Sequence, residues 1–142
     1  MGFMALDVGD KTIGVATSNE LGWTSPVVTI RRTNLQADLE ALARLVEEHE
    51  PQRLVVGLPL NMDDTEGPRA AKSRRFAAAL RERFGLPVAL QDERLSTFEA
   101  EQRLAEAGVP AIKRKAIVDM VAAQVILEAY LATGAPEPDA SV

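Results

Sequence analysis

Leu54-Val55-Val56-Gly57-Leu58-Pro59 is a short, unbroken apolar run closed by a proline, the pattern of a strand buried on both faces. A strand of that kind belongs to a parallel sheet with helical crossovers, and the flanking sequence supplies them. Upstream, Leu35, Leu39, Leu42, Leu45 and Val46 recur at helical intervals until Pro51, and Thr33-Asn34-Leu35-Gln36 has the spacing of a capping box. Downstream, the polar stretch from Asn61 to Pro68 reads as a loop. Phe76, Ala77, Leu80 and Phe84 then mark a helix stopped by Gly85, and Val88-Ala89-Leu90 forms a last strand running into Asp92-Glu93-Arg94.

Towards the N-terminus, residues 3–8 read as a strand ending near Asp7. A turn through Gly9 and Asp10 leads to a second strand over Thr12 to Ser18, and Val27 to Ile30 completes an antiparallel meander. Towards the C-terminus, Ser96-Thr97-Phe98-Glu99 has capping-box spacing and opens a helix ended by Gly108 and Pro110. A longer helix is expected from about Lys115 to Leu131, with Asp119 beside its apolar stripe. The expected fold class is α/β: a mixed five-stranded sheet, three antiparallel strands then two parallel, with helices on both faces, in the order of an RNase H-like fold. Residues 1–134 are read as one domain and 135–142, with Pro136 and Pro138, as a disordered tail.

The 142 residues suit one domain with a real core. Aromatics are only 4%, so aliphatic side chains must build that core and platforms for stacking bases are scarce. There is no cysteine, which excludes disulfides and thiolate zinc sites, and the single His49 excludes a histidine cluster. Oxygen ligands remain, and these suit magnesium or manganese. No apolar run approaches the roughly 20 residues that span a bilayer, so a soluble, cytoplasmic protein with no membrane partner is expected. The net charge of −5 argues against a general nucleic-acid coat, yet from Arg69 to Lys115 eleven Lys and Arg stand against six Asp and Glu. A local basic face is compatible with the acidic whole.

Asp7, Glu93 and Asp119 are the acids that such a fold gathers. In open α/β sheets, ligands sit at the carboxyl ends of the strands. If the fourth strand lies beside the first and the fifth beside the fourth, Asp7 and Glu93 share that edge, and the last helix carries Asp119 over it. Two cations roughly 4 Å apart, held by several carboxylates, are what metal-assisted phosphoryl transfer requires. Taken singly, Asp7 also reads as a turn residue and Asp119 as a partner of Lys115 one helical turn earlier. Asp92 rivals Glu93, but neighbouring strand residues face opposite ways, so only one of the two points at the metals.

Four blocks carry a resemblance to the RuvX/YqgF family. They are Ala5-Leu6-Asp7-Val8-Gly9 through Ile13-Gly14-Val15-Ala16; Val55-Val56-Gly57-Leu58-Pro59-Leu60-Asn61; Asp92-Glu93-Arg94-Leu95-Ser96-Thr97; and Lys113-Arg114-Lys115 leading to Asp119 and Ala122-Ala123-Gln124. The resemblance implies an RNase H-like fold and a metal-dependent nuclease with Asp7, Glu93 and Asp119 as its acidic triad, described both as a Holliday junction resolvase and as a pre-16S rRNA nuclease. Thr12 and Asn19 depart from the family pattern, which usually has a basic residue and an Asp at these places.

Around the triad, Arg94 is placed to pair with a carboxylate or to meet the scissile phosphate. Asn61 either binds substrate or caps its loop. Arg69, Lys72 and Arg75 could track a nucleic-acid backbone, as could Lys113, Arg114 and Lys115 at the start of the last helix, where cations oppose the helix dipole. The function expected first is a magnesium- or manganese-dependent endonuclease, using two ions, that trims the 5′ end of precursor small-subunit ribosomal RNA. Resolution of branched DNA by a homodimer uses the same chemistry, and a noncatalytic ribosome-assembly factor that binds structured RNA is the alternative of another class. A phosphotransferase of the actin-like superfamily would need a second lobe for which the chain has no room.

Overall fold

The computed structural model describes residues 2–138. Three strands open the chain, β1 (Phe3–Val8), β2 (Thr12–Ser18) and β3 (Thr24–Arg31), followed by α1 (Leu35–His49), β4 (Arg53–Leu58), α2 (Pro68–Phe84), β5 (Val88–Asp92), α3 (Ser96–Glu106) and α4 (Ala111–Ala132). The sheet runs β3-β2-β1-β4-β5. β1 pairs antiparallel with β2 and β2 with β3, whereas β1–β4 and β4–β5 are parallel. This is the mixed, RNase H-like sheet expected from the order of elements. β3 is an edge strand, and it accommodates Pro26, which has no N–H to donate, beside an irregularity of register at Val15 and Ala16.

Side-chain alternation sorts the strand residues onto the two faces. Met4, Leu6, Ile13, Val15, Leu54, Val56 and Val88 point to one side and pack against Leu42 of α1 and Phe76, Ala77 and Leu80 of α2. Ala5, Val55 and Ala89 point to the other, where Ile126, Leu127 and Tyr130 of α4 cover them. Small residues let α4 lie close to the sheet. α3 then packs on α4 through Ala100, Leu104, Val118, Val121 and Ala122, so helices cover both faces.

Local departures from the sequence reading have identifiable causes. Asn34, one residue later than expected, caps α1 by accepting from the Ala37 N–H at 2.9 Å. Thr33 instead offers its N–H to Asp38. The second capping box does not form, because the Ser96 hydroxyl turns back to Glu93 Oε2 at 3.4 Å and Leu95 takes the cap position without a side-chain bond. α4 starts at Ala111, four residues early, since the Pro110 carbonyl already receives the N–H groups of Lys113 and Arg114.

The tail expected to be disordered from residue 135 is instead held at its beginning. Arg53 donates to the Ala135 carbonyl at 2.9 Å, and the Tyr130 hydroxyl donates to that of Pro136. The rest of that expectation, residues 139–142, lies outside the described residues.

Candidate active site

Asp7, Gly57 and Glu93 fall on the face covered by α4, at the carboxyl ends of the parallel strands. Gly57 makes the space. A Cβ there would lie 2.7 Å from Glu93 Cδ and 2.7 Å from Ile126 Cδ1. Glu93 continues β5 by donating its N–H to the Leu58 carbonyl at 3.1 Å, and its carboxyl group turns over this gap to meet Asp7. The two carboxyl groups face each other closely enough that each shifts the protonation of the other. Burial, then the Asp7 charge, pushes Glu93 up to about 9, so Glu93 is the member of the pair that keeps a proton at neutral pH. Burial also raises Asp7 and the Asp119 charge adds to the rise, against the lowering effects of the Glu93 hydrogen bond and of Arg69. Glu93 Oε1 is buried with no hydrogen-bond partner.

Asp119 reaches this edge because α4 crosses β2 at Gly14, where a Cβ would stand 1.9 Å from the Asp119 carbonyl oxygen. Its Oδ2 accepts a 2.6 Å hydrogen bond from the Thr12 hydroxyl. The pairing with Lys115 that helical spacing allows does not form among the described residues, and the residue that departs from the family pattern takes that role instead. The three acids divide into a close pair, Asp7 and Glu93, in which Glu93 carries the proton, and a third, Asp119, whose charge raises Asp7. Among the described residues no three acidic or histidine side chains converge closely enough to form one ligand cluster. Like charges at contact distance repel, and the Glu93 proton and the Thr12 hydroxyl each relieve part of that repulsion.

Asp92 faces away from this pair and binds Arg94, which also pairs with Asp64 and donates to the Met62 carbonyl at 3.3 Å. Of the two roles open to Arg94, the structure shows the ion pair: the side chain ties the loop after β4 to the end of β5. Asn61 serves that loop as well, donating from its side chain to Thr65 Oγ1 at 2.9 Å. Asn61, Arg69, Glu93, Arg94 and Thr97 nevertheless share an open cleft of about 600 Å³. Arg69, Lys72 and Arg75 line a second hollow of about 310 Å³ beside Val8 and Gly9, and Lys72 pairs with Asp10 at 3.2 Å. Lys113, Arg114 and Lys115 occupy the first turns of α4 with no ion pair among the described residues.

Sequence reasoning missed Arg32 and Asp38. Asp38 is only 2% exposed. It accepts from Arg32 Nε at 2.9 Å, while Arg32 also donates to the Gly9 carbonyl at 2.8 Å and so fixes the turn that follows Asp7. No periodicity marks an acid that points inward from the first turn of a helix. Gly57 was readable: a glycine in an otherwise apolar strand signals close approach.

The family model described as RuvX, Holliday junction resolvase, matches residues 1–133. A "Putative pre-16S rRNA nuclease" of Myxococcus xanthus is 53% identical over 137 residues, covering 96% of this chain and 90% of the relative. Among solved structures, Thermus thermophilus RuvC in complex with a Holliday junction substrate superposes with a TM-score of 0.61 at 12% identity, covering 98% of this chain and all of that one. The fowlpox virus resolvase, also complexed with Holliday junction DNA, gives 0.58 at 12% identity, over 96% of this chain and all of the other. Likenesses at such identity bear on the fold, which they share with this chain.

Proposed function

From the premise that the chain belongs to the RuvX family, we propose that it is a divalent-cation-dependent endonuclease whose substrate is the 5′ end of precursor 16S ribosomal RNA. The observation that carries this reading is the Asp7–Glu93 carboxyl pair, gathered at the strand ends with one buried carboxyl oxygen left without a partner. Burying two acids side by side is costly unless something else is bound there. The donor set is all oxygen, which fits magnesium or manganese. Asp7 and Glu93 would hold the metal, and Asp119, whose charge already reaches Asp7, would have to close on it as the third ligand; the metal would activate water and stabilise the departing 3′ oxygen.

The chain's own groups do the rest. Thr12 orients Asp119 through its 2.6 Å hydrogen bond, the Ser96 hydroxyl steadies Glu93, and Arg69, whose charge acts on both buried acids, draws the phosphodiester towards them. Glu93 must lose its proton to become a ligand, so metal binding is coupled to proton release. Residues 1–134 act as the single nuclease domain. Among the described residues no helix is long and apolar enough to cross a membrane, and the reading places the protein in the cytoplasm, where ribosomal precursors are made.

Resolution of branched DNA is the second reading, favoured by the description of the family and by the junction complexes of the fold relatives. It needs two sites presented symmetrically by a homodimer. Offering labelled precursor RNA with its 5′ leader and a four-way DNA junction to the same preparation, with manganese, separates the two. Preferred cleavage of the RNA at the mature 5′ end supports processing. Paired symmetric cuts in the junction by a dimer overturn it in favour of resolution, and binding of RNA without cleavage under any metal leaves an assembly factor.

A further inference from the structure

The hollow on the α1–α2 side of the sheet differs in kind from the acidic edge. Its floor is apolar, built by Val8 and the half-exposed Leu35 over the nearly buried Phe76. Arg32 forms one wall, with its guanidinium carbon 5.2 Å from the Phe76 ring centroid. Two anchors, Asp38 and the Gly9 carbonyl, hold that guanidinium in place. Its charge is therefore already matched, and what it offers the hollow is a fixed planar surface. The rim is cationic. Arg69 and Arg75 make no ion pair among the described residues, and the Lys72 charge is shared with the exposed Asp10.

An apolar interior under two arginines that make no ion pair among the described residues suits a planar ring that carries an anion. The volume of about 310 Å³ lies at the lower end of the range for small-ligand sites, roughly 300–1,000 Å³, and fits one unit of that size. Arg69 lines both this hollow and the cleft that contains Glu93, so the two sites are joined by one side chain. Val8 and Gly9 follow Asp7 directly in the chain. A strand whose phosphate lies over the carboxyl pair would pass across Arg69 into the hollow.

We propose that this hollow is a seat for a single unpaired nucleotide flanking the cut, its base on the surface formed by Leu35, Val8 and the Arg32 guanidinium and its phosphate between Arg69 and Arg75. The proposal rests on the nuclease reading and narrows it: the substrate presents at least one unstacked nucleotide beside the scissile bond, as a single-stranded leader does and a fully paired duplex does not. Guanidinium planes and apolar surfaces accept any base face, so the seat selects for an unpaired base rather than for a sequence.

The test measures binding of short labelled single-stranded RNA to the full chain in chelator, with no turnover. Abasic residues are placed at each position in turn, using wild type, Arg75→Ala and Leu35→Asp. Leu35 is half exposed at the first position of α1, where an acid is favoured by the helix N-terminus, so that variant keeps the fold. One abasic position is expected to weaken wild-type binding about tenfold, in line with the loss of one stacked base, and Leu35→Asp should abolish that sensitivity. Arg75→Ala should lower the slope of log affinity against log salt by about 0.7, the effect of one lost phosphate contact on a single strand. Equal binding at every abasic position, or a salt slope unchanged in Arg75→Ala, overturns the seat while leaving cleavage by the wild type untouched. Binding as expected without metal-dependent cleavage keeps the seat and removes the nuclease reading.

Discussion

In the proposed reaction Glu93 is the residue on which the chemistry turns, and its protonation gives a measurable signature. Its pKa in the folded chain is about 9, against an ordinary 4.5, so folding takes up a proton between these values. The stability linked to that proton is whole below about pH 4.5 and is lost as pH rises through about 9. Denaturant unfolding of the metal-free protein should show stability falling across that window, and Glu93→Gln, which stays neutral at every pH, should flatten the fall. A wild-type stability that rises from pH 5 to 9 contradicts the protonated pair. Thr12 makes a second prediction at this scale. Thr12→Val removes the hydroxyl that orients Asp119 and should weaken manganese affinity by about 10- to 100-fold, as losses of groups supporting a metal ligand do. Thr12→Ser, which retains the hydroxyl, should restore it; equal affinity in all three proteins, measured by calorimetry, would assign Thr12 no positioning role. The sequence marked these acids by position alone. That only one of Asp92 and Glu93 turns inward follows from the opposite directions of adjacent strand residues, and the family resemblance favours Glu93, but the partner of Asp119 depends on a helix crossing a distant strand, which no local pattern encodes.

At the scale of elements, two glycines set how α4 meets the sheet, and they should differ in cost. A methyl at Gly57 meets the side-chain atoms of Glu93 and Ile126, whereas one at Gly14 meets the backbone of Asp119 and Met120. Side chains yield more readily than helix backbone. Gly57→Ala should therefore lower unfolding free energy by about 1–3 kcal/mol, the usual range for overpacking, and displace Glu93 so that metal affinity falls. Gly14→Ala should cost more, because α4 itself must move. Chemical denaturation of the two variants checks the order, and equal or reversed costs would mean that α4 is not seated as described. Strands and helices were legible because their apolar periods are local: the run at Leu54–Leu58 and the leucines of α1 needed no tertiary knowledge. Caps were less so. The Ser96 hydroxyl was drawn to Glu93 instead of closing its own helix end, a competition between a backbone donor and a buried carboxyl that sequence spacing does not register. The early start of α4 likewise came from Pro110, whose carbonyl can serve a first turn even where the proline reads as a stop.

Over the whole molecule, the sheet order and the placement of helices on both faces followed from the alternation of strand and helix patterns. The placing of small residues beneath α4 was in part written in the strands, in the alternation Met4-Ala5-Leu6 and in Val88-Ala89-Leu90. The hold on Ala135 and Pro136 was not, since Arg53 and Tyr130 bind their carbonyls and every residue type has a carbonyl. The acidic net charge and the basic rim also coexist here, because Arg69, Lys72 and Arg75 share one end of α2 while most acids lie on other surfaces. The central claim is that the carboxyl pair, with a divalent cation, cuts the phosphodiester backbone. The most direct measurement is single-turnover cleavage of labelled precursor 16S RNA by wild type and by Glu93→Gln, each with manganese and with chelator. The account predicts cutting by the wild type in manganese alone, and a rate at least about 1,000-fold lower in Glu93→Gln, equivalent to several kcal/mol of lost transition-state stabilisation. Cleavage by Glu93→Gln at the wild-type rate, or by the wild type in chelator, would contradict it.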